Sequence, residues 1–251
     1  MDEIKLEEIT AIHPSQRKAA KVAGFTILFS IVIVIVANYG INFRLIVPRN
    51  AVDTARNIME HETLFRVNIA CNLLYVMVIV VLLSALYIIL KPVNSILALF
   101  AGICRFIFVL MWGLTAFYSL AALRLLGDTT YLSVFKTDQL QTLARLHLTA
   151  SFDGYYVGLP FWGMASTICS YLLYRSRYIP RAMAAFGVIS SIWCVFCAFA
   201  FIVFPDFGSA VNAYWFDMPL LIFEIVLGFW LLFKGLKPSG VIQPILKNDN
   251  R

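Results

Sequence analysis

Residues 95–126 read SILALFAGICRFIFVLMWGLTAFYSLAALRLL, an unbroken apolar run whose charged side chains are Arg105 and Arg124. A helix rising about 1.5 Å per residue makes this run longer than the roughly 30 Å of hydrocarbon in a bilayer. It does not alternate in polarity, so a membrane β-strand does not fit. Further runs of spanning length cover about 19–42, 64–90, 155–174, 182–204 and 213–233. Lipid offers the backbone no hydrogen-bond partners, so each run is expected to be helical. Lys91-Pro92, Pro180-Arg181, Pro205-Asp206 and Lys237-Pro238 supply the breaks between and after them.

Composition points the same way. Of the 251 residues, 61% are apolar and 14% charged, against roughly 45–50% and about 25% in soluble domains. The lipid bilayer is therefore the expected partner. The net charge of +6 comes from Lys and Arg at the ends of apolar runs. No nucleic-acid motif accompanies it, so no nucleic-acid partner is expected. The fold class expected is all-α: a polytopic membrane protein built as a bundle of about six transmembrane helices. Short amphipathic outer-loop helices are expected at about 50–61, with Asn50 as cap, and within 130–151. The division is a tail at 1–18, a transmembrane domain at 19–236 and a tail at 237–251. With the N-terminus inside, twelve Lys and Arg fall on the cytoplasmic side and seven outside. The positive-inside rule then gives a multi-pass cell-membrane protein with both termini cytoplasmic.

Two charged residues lie deep in the apolar runs, Arg105 and Glu224. Such groups are costly in lipid and mark function or pairing. Counted from Asn94 and from Lys234 at about 1.5 Å per residue, both sit roughly 15 Å from the cytoplasmic edge. An Arg105–Glu224 ion pair facing the bundle interior is expected, with Gly102 and Gly228 allowing close helix approach. It would serve either as a clamp between helices or as a proton or substrate site. Asn68, Asn72 and Tyr75 share one helix face, and Asp153, Tyr156 and Thr167 share another. With Trp112 and Asp217 they form the candidate lining of an outward-opening polar cavity. Interhelical hydrogen bonding is the plainer use of the same side chains.

No cofactor and no metal is expected. Cys194 and Cys197 form a C-x-x-C without a second pair or a nearby His, and His13, His61 and His147 make no ligand motif. Three functions remain open: a small transporter or ligand-binding protein for a small molecule or lipid, a structural or accessory protein, or a membrane-embedded enzyme acting on a lipid or isoprenoid.

Short stretches in order also carry a resemblance: Arg17-Lys18-Ala19-Ala20, Leu64-Phe65-Arg66, Leu90-Lys91-Pro92-Val93-Asn94, Gly154-Tyr155-Tyr156-Val157-Gly158-Leu159, Tyr178-Ile179-Pro180-Arg181 and Lys234-Gly235. With Arg105, Gly163 and Glu224 they resemble the bacterial membrane family known as domain of unknown function 4386, over about Arg17 to Gly235. The resemblance implies that an Arg and a Glu recur at Arg105 and Glu224. It also implies a histidine two residues after Gly163, where this chain has Ala165, so no role of that histidine carries over. It implies a fold and a compartment, and no activity.

Overall fold

A computed structural model describes residues 6–8, 12–127, 130–204, 206–207, 211, 216–238 and 242–244. Seven helices dominate it. They are α1 (Pro14–Leu45), α2 (Ala51–Glu60), α3 (Glu62–Leu90), α4 (Ser95–Leu126), α5 (Thr137–Ser176), α6 (Arg181–Val203) and α7 (Met218–Phe229), the last continued by a π turn at Trp230–Lys234. Four of them, α1, α3, α4 and α6, are long and apolar enough to cross a membrane.

Local chemistry sets their ends. Pro14 at the start of α1 needs no N–H partner. His13 and Gln16 close a reciprocal capping box there, through Ser15 N–H to His13 Nδ1 (3.3 Å) and His13 N–H to Gln16 Oε1 (3.1 Å). Asn50 and Asn94 cap α2 and α4 by accepting Asp53 N–H and Leu97 N–H, each at 2.9 Å. Arg177, left-handed at φ 58°, ends α5.

Two spans differ from their apolar runs. Helix α1 begins at Pro14 rather than near residue 19, because the cap lies upstream of the lipid-compatible stretch. The amphipathic segment expected within 130–151 is not a separate helix; its larger part is the first half of α5, which runs 40 residues unbroken. Asp153 and Gly154 are too weak together to stop a helix. Residues 213–215, the start of the last run, lie outside the described residues.

Six helices pack as a ring in chain order. Helix α1 contacts α3, α3 contacts α4, α4 contacts α5, α5 contacts α6, α6 contacts α7, and α7 returns to α1. Helix α2 stays outside the ring and packs on α5 at one end, beside a second core of Leu45, Ile58, Phe65, Leu123 and Leu148. At the opposite end the tails meet. Leu6–Glu8 pairs antiparallel with Ile242–Pro244. There the buried Gln16 side chain donates to Ile89 O (3.1 Å) and reaches Tyr178 Oη (3.2 Å), and Lys237 N–H donates to Tyr178 O (2.9 Å). The start of α1, the end of α3, the α5–α6 turn and the end of α7 are thus tied together at this tail end.

The outside of the ring is apolar: Phe25, Met77, Phe117, Ile189 and Phe196 are all exposed. The inside holds Asn68, Asn72, Arg105, Ser166, Ser170 and Ser191, all buried. An apolar exterior of that extent is stable against lipid and a liability in water. The chain is a helical membrane protein.

Small residues close the ring. A Cβ on Gly24 would lie 2.6 Å from Leu232 N and 2.7 Å from Gly228 O, and one on Gly228 would meet Leu28 Cγ at 2.9 Å. Gly228 therefore serves the α1–α7 crossing, not an approach to α4, and Gly102 has open space around it. Gly24→Ala is expected to cost about 1–3 kcal/mol through backbone displacement. Gly113→Ala, with nothing within 4 Å, should leave the thermal midpoint in detergent nearly unchanged. Equal shifts for the two variants would rule out the close crossing.

Candidate functional site

In a ring of six, α4 stands opposite α7, and Arg105 and Glu224 face each other across its axis. They line one small central space with Ile27, Leu82, Ser166 and Ser170, among others. The two charges share this space without a direct bond. The ion pairs within 4.0 Å among the described residues are Arg56–Asp53 and Arg66–Glu62. This corrects the expected direct pair: depth along each helix matches, but the helices are not neighbours, and α5 fills the gap.

Helix α5 supplies the intermediaries. Arg105 Nη2 donates to Ser166 Oγ (3.1 Å), and its guanidinium lies 4.2 Å from the Trp162 ring centroid. That geometry offers a cation–π attraction strengthened by burial. The indole N–H of Trp162 faces the Glu224 carboxylate, and the Cys169 thiol lies against the guanidinium. Trp162, Ser166 and Ser170 recur every four residues and so occupy one helix face. The space between these groups measures about 20 Å³, room for about one water. The hydroxyl of Ser170 is buried beside it with no hydrogen-bond partner.

A second polar thread runs from this centre toward the end opposite the tails. Trp112 Nε1 donates to Asn72 Oδ1 (3.1 Å), Asn72 Nδ2 donates to Asn68 Oδ1 (3.0 Å), and Asn68 Nδ2 donates to Ala37 O (2.7 Å). The Ala37 carbonyl belongs to a π-helical stretch of α1, Ile35–Asn42, where backbone carbonyls lose their usual partner four residues on. Tyr75 and Tyr155 pack on Trp112 with ring centroids at 4.4 and 5.6 Å. Tyr155 Oη donates to Asp217 Oδ2 (3.2 Å). Phe108, 5.7 Å from Trp112 and 4.7 Å from Trp162, joins the thread to the charged centre.

The candidate lining residues thus divide. Asn68, Asn72, Tyr75, Trp112 and Asp217 join the thread. Asp153 is exposed on α5 and takes no part. Thr167 spends its hydroxyl on its own helix, donating to Gly163 O (2.8 Å). Tyr156 is half-buried and packs toward Phe201 at 5.6 Å. Residue-by-residue reading missed Tyr155, Trp162, Ser166 and Cys169. A four-residue Trp-Ser-Ser spacing on the same helix was the available signal. The cysteines are all free, with Cys194 and Cys197 in the apolar core. Among the described residues no three His, Cys, Asp or Glu converge as a metal site.

Asn72→Leu strips Trp112 of its acceptor and Asn68 of its donor. It should cost about 1–3 kcal/mol, seen as a lower thermal midpoint and an altered tryptophan signal in near-ultraviolet circular dichroism. Thr167→Val should be much milder; the reverse order would sink the assignment.

A family model described as Domain of unknown function (DUF4386) matches residues 22–235. A relative from Archaeoglobus fulgidus, described as an uncharacterized protein, is 28% identical over 114 residues, covering 45% of this chain and 64% of the relative. The chain therefore spans less than two-thirds of that relative's length. No solved structure matches.

Proposed function

The chain belongs to the DUF4386 family, a domain of unknown function, and from its own geometry we propose a small transporter or ligand-binding membrane protein whose site is the Arg105–Glu224 centre. One observation carries this reading: opposite charges share a buried space without contact, beside an unpartnered Ser170 hydroxyl. A helix clamp gains most when its charges meet directly with their remaining hydrogen-bonding sites filled. Here the space between them is lined by Arg105, Ser166, Ser170 and Glu224, donors and an acceptor that a water, a proton or a small polar group can use. The present arrangement is then an occluded one, with Ile27, Leu82, Leu86 and Leu173 among the apolar walls of the space.

The same proposal takes all six ring helices as spans, with the helical unit at 19–236 and both tails cytoplasmic in a cell membrane. Pairing of the two tails supports an even number of crossings. Arg17, Lys91, Arg175, Arg181 and Lys234 sit near the tail end, as the positive-inside rule asks of a cytoplasmic face. A structural or accessory role is the second reading, and the tightness of the space and its largely apolar walls favour it.

Thermal stability of four variants separates the two. Arg105→Glu and Glu224→Arg should each be strongly destabilised, by about 3–5 kcal/mol. The double swap should not recover, because charges that do not touch cannot simply trade places. Glu224→Gln should stay folded while losing any binding or transport. Full recovery in the double swap would favour the clamp.

A further inference from the structure

We infer that the cleft where α1, α2 and α3 meet, opposite the tail end, binds the headgroup of a zwitterionic phospholipid bearing a primary ammonium, of the phosphatidylethanolamine class. The cleft measures about 590 Å³, and its walls include Arg44, Asn57, Met59, Glu60, His61 and Glu62. That volume lies within the range of small-molecule sites.

Depth is the first argument. On α1, Tyr39 and Phe43 are 52% and 61% exposed, and Arg44 follows at once. Arg44 thus stands where the lipid-facing surface of α1 gives way to the headgroup layer. Any ligand drawn from that layer is present there at high local concentration. Met59, 40% exposed on the cleft wall, and Phe43 offer apolar surface to an acyl chain.

Charge is the second argument. His61 ends α2 and begins α3 at φ −125° and ψ 42°, and this break brings Glu60 and Glu62 to the same cleft as Arg44. Glu62 is held by Arg66 at 2.6 Å. Arg44 and Glu60 make no ion pair with any described residue. A guanidinium suits a phosphodiester. A carboxylate suits an ammonium that carries N–H donors. A choline headgroup has no such donor, and a glycerol headgroup has no cation. The carboxylates would also repel a purely anionic lipid.

The test uses the full chain in nanodiscs with equal parts phosphatidylethanolamine, phosphatidylcholine and phosphatidylglycerol, followed by detergent exchange and native mass spectrometry of retained lipid. Phosphatidylethanolamine should be retained about tenfold over either competitor. Arg44→Ala and Glu60→Gln should each abolish that preference. Both side chains are exposed, so folding should survive, as thermal stability would verify. Arg56→Gln, which breaks only the Asp53 pair, should leave the preference intact. Equal retention of the three lipids, or a preference untouched by both cleft variants, would overturn the assignment. Loss of the retained phosphatidylethanolamine when inorganic phosphate is added during the exchange would also overturn it, since a soluble anion would then suffice.

Discussion

The close crossing of α1 and α7 at Gly24 and Gly228 is the contact on which the centre of this protein depends. Helix α7 reaches the rest of the bundle through α1 on one side and α6 on the other. Its carboxylate, Glu224, lies one turn from Gly228. Any side chain larger than hydrogen at the crossing would push α7 outward and carry Glu224 from Trp162. On the other flank, a Cβ at Gly187 would strike the Phe223 ring at 2.5 Å and Ser170 Oγ at 2.7 Å. Three glycines and one phenylalanine thus fix a charged group in a medium where misplacement is expensive.

Much of this was legible in the residues because lipid leaves the backbone few options. Helix α4 coincides with its apolar run at both ends, since Asn94 caps it and Gly127 follows it. Helix α2 and its Asn50 cap also read directly. Depth was legible too, because the rise per residue is fixed, and Arg105 and Glu224 do lie at one level. Which helix stands beside which was not, since ring order depends on packing between distant segments. The expected ion pair failed for that reason alone. Trp162 escaped attention because a tryptophan in an apolar run reads as packing, and only its spacing to Ser166 and Ser170 hints at more.

The merged α5 carries a related lesson. Its first half looked like an interfacial helix because it is amphipathic, and its second half looked like a span because it is apolar. Both descriptions hold for one continuous rod whose polarity changes along its length. Ala144 and Leu148 pack into the far core, while Ser166 and Ser170 face the central space. A change of solvent along a helix does not require a break in it.

The π stretch in α1 has a consequence for chain length. Such a turn behaves as a single-residue insertion absorbed without leaving the helix. It lets Gly24 face α7 while Leu45, fully buried, still faces the far core. Tightening residues 35–42 to ordinary winding with the residue count unchanged would rotate one half of α1 against the other by about 100°. Either the glycine crossing or the Leu45 seat would then be lost. A homologous chain one residue shorter here should therefore keep both seats on an ordinary α-helix, whereas one of equal length should keep the wide winding.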